Sequence, residues 1–302
     1  MPKVFWSGKL PFDTMCLMNA SNFIAFLCGN TMNKEPMKLR MKNGYDGVFS
    51  DDVTRYDELG LGHYSNVAEK LVSRIDVLGK RVLDVGCGTG ILTLSLLKHG
   101  AAKVICGDFA ENMLSRCRNN LSSSGYEADR VTVKNFDADN LPYEDNSFDV
   151  VVSGMMLGLT PDQQGIISEM VRVLRPGGTL AFSTHGPGHY MEACDGLLRA
   201  APKRYALGYR VEFWPQSKKS VEKLLSREPL KSFKTFNEVW EEEFDRGEAA
   251  YDFFASTSSS WWIERVPESK RQVESDKVRN FFNENNITSI TSDVVFAYGV
   301  KQ

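Results

Sequence analysis

Residues 82–90 read Val-Leu-Asp-Val-Gly-Cys-Gly-Thr-Gly, with glycines at Gly86, Gly88 and Gly90. Such a turn lets the backbone bend tightly and approach a ligand closely, beside a helix N-terminus. The dinucleotide fingerprint G-x-G-x-x-G would need a third glycine where Ile91 stands, and no GK[ST] follows, which excludes a P-loop. Asp108 ends the next β-branched run, 18 residues after Gly90. A carboxylate at a strand tip can accept both hydroxyl protons of a ribose. Asp is also a common helix cap, but the glycine loop in register upstream favours the ribose role. Three histidines are candidates for moving a proton: His63 in Leu-Gly-Leu-Gly-His-Tyr-Ser-Asn, and His185 and His189 in Ser-Thr-His-Gly-Pro-Gly-His-Tyr. The last two follow a strand, and ligands sit in the loops beyond parallel strand ends. The plainer reading of each is a solvated or structurally bonded loop residue.

The elements that position these residues are regular from Val82 to Thr184. Short β-branched runs recur at Val82-Leu83, Val104-Ile105, Val131-Thr132-Val133, Val150-Val151-Val152 and Thr179 to Phe182. Helical patterns lie between them: Met113, Cys117 and Leu121 share one face, as do Ile166, Met170 and Leu174. This alternation predicts a doubly wound α/β fold, a parallel sheet with helices on both sides. Five segments are expected. Residues 1–44 form a flexible or targeting-like N-terminal extension. Residues 45–80 form cap helices, including an amphipathic one from Ser65 to Leu78 with Val67, Leu71, Ile75 and Leu78 buried. Residues 81–185 are a Rossmann-like core, and residues 186–291 a mostly helical insertion with a sixth strand. Residues 292–302 close the sheet through the run Val294 to Tyr298.

The chain has 302 residues, 42% apolar and 25% charged, with a net charge of −3. That balance is globular, and without a basic surplus a duplex nucleic-acid partner is not expected. Six cysteines without a CxxC pair carry no metal or redox spacing, so no metal is expected and a reducing compartment is the default. The longest apolar stretch, Leu10 to Cys28, is broken by Asp13, Asn19 and Asn22 and is no membrane span. The first 44 residues carry six Lys/Arg and two acids. A cytoplasmic setting is expected, with organelle import by this extension as the other reading. Oligomeric state, monomer or homodimer, is left open.

The glycine loop, then Asp108, then Asn135 to Ser153 (NFDADNLPYEDNSFDVVVS), then Glu169 to Thr184 (EMVRVLRPGGTLAFST), together resemble a class I S-adenosylmethionine-dependent methyltransferase, most closely the UbiE/COQ5-like (type 11) small-molecule branch. The resemblance implies a seven-stranded sheet of order 3-2-1-4-5-7-6 with the last strand antiparallel, and a helical cap. It implies S-adenosylmethionine as cofactor and S-adenosylhomocysteine as product. Gly86, Cys87, Gly88 and Gly90 would lie under the methionine part. Asp84 would order the loop or meet the cofactor amine. Asp108 would bind the ribose, with Phe109 and Met113 along the adenine; for these two, core packing is the rival role. Asp137 and the Ala138 amide would meet the adenine, and Ser153 and Gly154 would face the methyl donor. Arg175-Pro176-Gly177-Gly178 would be a turn between a helix and the fifth strand.

Displacement at a sulfonium needs alignment and exclusion of water, and a base only where the acceptor has a proton to lose. The acceptor is expected to be a small metabolite methylated on O, N, S or C. Tyr56, Tyr64, Met156, Trp261 and Trp262 are candidate substrate contacts, although most aromatics of the cap should simply be core. The acidic run Glu241-Glu242-Glu243 reads as a solvated strand edge. Two other functions stand beside this one: a catalytically silent methyltransferase-like binding or regulatory protein, and an NAD(P)-dependent oxidoreductase. The second is opposed by Ile91 and by the absence of a Tyr-x-x-x-Lys motif.

Overall fold

The computed structural model describes the backbone of residues 53–126, 129–160, 162–202, 217–259, 263 and 266–302, and their side chains from residue 62 onward except 258–259. Helix α1 (Val53–Val72) precedes β1 (Arg81–Val85), α2 (Ile91–Lys98), β2 (Lys103–Asp108), α3 (Glu111–Ser123) and β3 (Val131–Asn135). Then come β4 (Phe148–Gly154), α4 (Gln163–Val173) and β5 (Leu174–His185). Beyond them lie α5 (Met191–Ala200), α6 (Lys218–Leu225), β6 (Leu230–Glu243), α7 (Gly247–Phe254), α8 (Glu268–Glu284) and β7 (Ser289–Lys301). The sheet order is β3-β2-β1-β4-β5-β7-β6. Strands β1 to β5 are parallel, and β7 runs antiparallel between β5 and β6.

Alternate residues of the central strands feed two cores, because successive side chains point to opposite faces. Val82, Val104, Val150 and Val152 pack with Leu71, Leu96 and Leu114 of α1, α2 and α3. Leu83, Ile105, Val151, Leu180 and Phe182 pack with Ile167 and Met170 of α4 and Val221 of α6. Both faces are covered, so the strands read as continuous apolar runs. A third core, built from Leu197, Tyr251, Phe254, Val278 and Phe282, joins α5, α7 and α8 into a cap.

Four local expectations change. The first helix starts at Val53 rather than Ser65 and stops at Val72. Ile75 and Leu78 therefore fall in the turn that reverses at Gly79 (φ +68°), and Leu78 is 73% exposed instead of buried. Arg175 to Gly178 do not precede β5 but bulge from within it: Phe148 pairs with Leu174, then Val150 with Thr179. Strand β7 begins at Ser289, because β6 runs for 14 residues and pairs along its length. Among the described residues no helix is long and apolar enough to cross a membrane.

Candidate functional site

A cleft opens where the parallel strands end. Its lining includes Gly86, Cys87, Gly88, Asp108, Phe109, Met113, Asp137 and Ala138 on the β1–β3 side. Gly154, Met155, Met156, Ser183 and His185 line the β4–β5 side, and Tyr64, Val67, Ala68, Leu71 and Thr257 cover it from α1 and the turn after α7. The glycine loop shapes the floor. Gly86 and Gly88 both take positive φ, and a Cβ on Gly86 would fall 2.5 Å from Met156 Cγ. Nothing lies within 4 Å of a Cβ on Gly88, so the backbone there faces open space. The Asp108 carboxylate accepts from the Gly88 amide and from the Ala110 amide, each at 3.0 Å. It ties the loop to β2 while lining the cleft. Asp137 is shaped similarly, accepting from the Asp139 amide at 3.0 Å.

Some expected contacts lie elsewhere. Asp84 is fully buried beneath the loop, outside the cleft lining, and accepts from Thr93 Oγ1 at 2.7 Å. That bond fastens β1 to α2, which suits the loop-ordering role over contact with a ligand amine. Burial pushes its carboxyl up to about 8, against the lowering effect of the Thr93 bond. Gly90 caps α2 at φ 90° and packs toward Cys117. Ser153 does not face the cleft. Its hydroxyl donates to the Val85 carbonyl at 2.8 Å, bridging β4 to β1, and only its neighbour Gly154 lines the opening. The side chain of Tyr56, together with Trp261 and Trp262, lies outside the described residues. Thr257 lines the cleft without having been singled out from sequence.

The three histidines, read separately in the sequence, form one cluster. Ring centroids are 4.7 Å apart for His185 and His189, and 5.6 Å for His189 and His63. His185 and His63 are buried, at 5% and 2% exposure, so the solvated-loop alternative does not hold for them. His189 is half-buried, and its Nε2 is enclosed. Its Nδ1 donates to the Asp293 carbonyl at 3.0 Å, which leaves Nε2 as the lone-pair nitrogen in the neutral ring. His63 Nδ1 meets Glu242 Oε1 at 3.1 Å and Ser292 Oγ at 3.1 Å. Burial alone would raise the Glu242 carboxyl; hydrogen bonds from His63, Trp240 and Ser292 outweigh it and hold the group below the usual range. Glu242 is thus turned inward from the edge strand, a correction to its reading as a solvated edge. His185 fits against Gly158, where a Cβ would stand 2.3 Å from Nδ1. The loop from His185 to His189 is clamped by Asp293 of β7. Gly186 N donates to its carbonyl and Gly188 N to its carboxylate, both at 2.8 Å. A side chain at Gly186 would strike that carboxylate at 2.1 Å, which accounts for the glycines flanking Pro187.

These environments set a pH dependence. Burial, with repulsion from His63, lowers His185 to about 3, and burial also holds His189 well below its ordinary value. Their contribution is fully present above about pH 6.5 and is lost as pH falls toward 3, because the unfolded rings take up protons the folded ones refuse. Asp84 acts oppositely: its folded value lies above the unfolded one, so its contribution is present below about pH 4 and lost as pH rises to about 8. Each group contributes a slope of up to about 1.4 kcal/mol per pH unit. Among these three groups the two histidines outweigh Asp84 from pH 4 to 6.5 and only Asp84 changes from 6.5 to 8, so their summed contribution is expected to peak near pH 6.5. Urea unfolding of the wild type and Asp84→Asn at half-unit intervals checks this: the substitution should remove the Asp84 slope across pH 4–8, steepening the rise below pH 6.5 and flattening the limb above it.

The parallel β1–β5 core, the glycine loop and the acidic residue ending β2 define a class I, Rossmann-like methyltransferase fold. Comparison agrees. A family model described as "Methyltransferase domain" matches residues 83–182. Methyltransferase GfsG of Streptomyces halstedii is 41% identical over 118 residues, 39% of this chain and 42% of the relative. The ubiquinone biosynthesis O-methyltransferase of Neisseria meningitidis (serogroup A / serotype 4A, strain DSM 15465 / Z2491) is 38% identical over 138 residues, 42% of this chain and 56% of that one. The chain thus spans about half the length of the relatives it matches. Among solved structures, phosphoethanolamine N-methyltransferase 2 of Haemonchus contortus, in complex with phosphomonomethylethanolamine and S-adenosylhomocysteine, superposes with a TM-score of 0.57. The identity is 16%, with 86% of this chain and 60% of that one covered, a likeness of fold. Residues 83–182 of this chain are thus similar to the methyltransferase domain family.

Proposed function

We propose that the protein is an S-adenosylmethionine-dependent methyltransferase acting on a small molecule with a dissociable proton. The observation carrying this is a single cleft with Asp108 and the open glycine loop at one end and a buried imidazole, His185, at the other. The open space over Gly88 and the backbone-held carboxylate fit a ribose-bearing ligand. Bound there, S-adenosylmethionine would supply a sulfonium methyl for in-line displacement. Asp108 would accept from the ribose hydroxyls, Phe109 and Met113 would lie along the base, and Asp137 with the Ala138 amide would meet its edge.

The chain's own groups narrow the acceptor. Among the described residues no lysine or arginine lines the cleft, so it offers no cation to a phosphate or carboxylate. Met155, Met156, Leu159 and Ile166 offer an apolar wall for a planar or hydrocarbon body. His185, neutral at pH 7, would take the proton of a phenol or carbon acid as the methyl arrives. Glu242, paired with His63, supplies negative charge to the same cluster. The O-methyltransferase of ubiquinone biosynthesis among the relatives suits such an acceptor. A cytoplasmic setting fits this reading.

Thermal unfolding with saturating S-adenosylmethionine, S-adenosylhomocysteine, NAD and NADP in parallel tests the cofactor. A ligand at ~100 times its dissociation constant stabilises by about 2.7 kcal/mol. A rise with the first two alone is expected; a rise with NAD alone would move the protein to oxidoreduction. Cofactor uptake without methylation of any phenolic or enolic acceptor would favour the silent binding protein. Asp108→Ala should weaken S-adenosylmethionine binding by about 1–3 kcal/mol through lost buried hydrogen bonds. Unchanged affinity by calorimetry would remove Asp108 from the site.

A further inference from the structure

Three cysteines converge beneath the glycine loop. Cys87 comes from the loop, Cys106 from β2 and Cys117 from α3, and their sulfurs all lie within 4.8 Å of one another. We propose that these three thiols bind one thiophilic divalent d10 cation, zinc or its softer congener cadmium. The inference does not depend on the methyl-transfer reading, although Cys87 also lines the cleft.

Geometry supports it first. At a metal–sulfur length near 2.3 Å, three sulfurs around one ion lie about 3.8 Å apart if tetrahedral and about 4.0 Å if trigonal. Closing the trio on an ion thus needs inward shifts of about 1 Å or less at each sulfur. Room for the third thiol depends on Gly90, where a Cβ would sit 2.7 Å from Cys117 Sγ. A carboxylate lies on the same face of the sheet as Cys106. Asp84 is the register partner of Cys106 across β1 and β2 and is wholly buried. Its Oδ2 is bonded to Thr93, while Oδ1 has no hydrogen-bond partner among the described residues.

Chemistry selects the ion. Thiolates take soft or borderline cations, and magnesium and calcium are excluded by the sulfur set. Three thiolates around a divalent ion carry a net charge of −1, whereas around a monovalent one they carry −2 in the same dry core. The larger buried charge is disfavoured. Access runs through Cys87, which lines the cleft and is 8% exposed, while Cys106 and Cys117 are fully buried. No cysteine spacing signals this site in the sequence, because three separate elements supply its ligands.

The test is titration of the reduced, chelator-stripped full chain with Cd(II) alone, read by thiolate-to-cadmium charge-transfer absorption and by equilibrium dialysis. One equivalent should bind, with affinity rising as pH rises because protons are released. Cys106→Ser and Cys117→Ser should each weaken binding at least tenfold, and Cys194→Ser should leave it unchanged. Zinc should compete for the same equivalent. Alkylation mapping of the wild-type protein keeps the idea testable if a variant fails to fold: cadmium should protect Cys87, Cys106 and Cys117 together. Absence of stoichiometric uptake would overturn the proposal, and so would protection confined to Cys16, Cys28 or Cys194.

Discussion

His185→Ala is expected to lower kcat on a phenolic or enolic acceptor by about 10²–10⁴-fold, the usual worth of a positioned base, while cofactor affinity is retained. His185 ends β5, lines the cleft and packs on the backbone of Gly158. Burial keeps the ring unprotonated at neutral pH. Without it, the cleft loses its imidazole proton acceptor. The loss should shrink as pH rises past the acceptor's own pKa, because the acceptor then arrives ionised. A purely structural role would give a pH-independent deficit and a matching fall in thermal stability. His185→Gln, which keeps bulk and hydrogen bonding without basicity, should be as slow as the alanine variant. Wild-type rates in both would end the assignment of His185 as the base.

Phe282→Ala is expected to destabilise the protein by about 3–5 kcal/mol, as for large-to-small changes at sealed aromatic sites. Phe282 is fully buried at the centre of the cap. Its ring lies edge-on to Tyr251 at 5.5 Å and stacks on Phe254 at 6.2 Å. Its edge also approaches α5 so closely that a Cβ on Gly196 would stand 2.8 Å away. One side chain therefore joins α5, α7 and α8, and none of the three can relax without disturbing another. Differential scanning calorimetry should show a fall in Tm of about 6–20 °C, at 2–4 °C per kcal/mol for a chain of this order. Val273→Ala, at a 56% exposed position on the same helix, should stay within about 0.5 kcal/mol of wild type. Equal stability of Phe282→Ala and wild type would mean that the cap core collapses around the loss.

The order in which structure could be read from the chain follows from how far each feature reaches. The parallel core was legible because two-sided burial demands continuous runs such as Val150 to Val152, and because glycines mark the turns. Strand order came through family resemblance; periodicity alone does not supply it. The β1–β3 half of the site was legible because backbone geometry forces particular residue types into a window from Asp84 to Asp108. In the β4–β5 half, His185, Met156 and Gly154 could be named singly, but the clustering of the histidines could not. His189, Glu242 and Asp293 are brought together by the β5–β7–β6 pairing and His63 is added from α1, a span of more than 200 residues that no local pattern records. Glu242 sits in a run of three acids and differs from its neighbours only by which face of β6 it occupies. Ser153 looked like a cleft residue from its position, yet its hydroxyl is spent on Val85. The cysteine trio had the same fate: spacing hid what the sheet register and α3 put side by side.

Strand β7 inserts between β5 and β6 and contributes Ser292 and Asp293 to the histidine cluster. During synthesis the glycine loop, Asp108 and the whole matched stretch leave the ribosome long before this strand does. A nascent chain arrested before residue 289 would carry every motif of the family and an open sheet edge along β5, with the His185–His189 loop unclamped. Capacity to hold a cofactor should therefore precede capacity to act on an acceptor while the polypeptide is being made. The β5 edge is the surface that would need shielding in that interval.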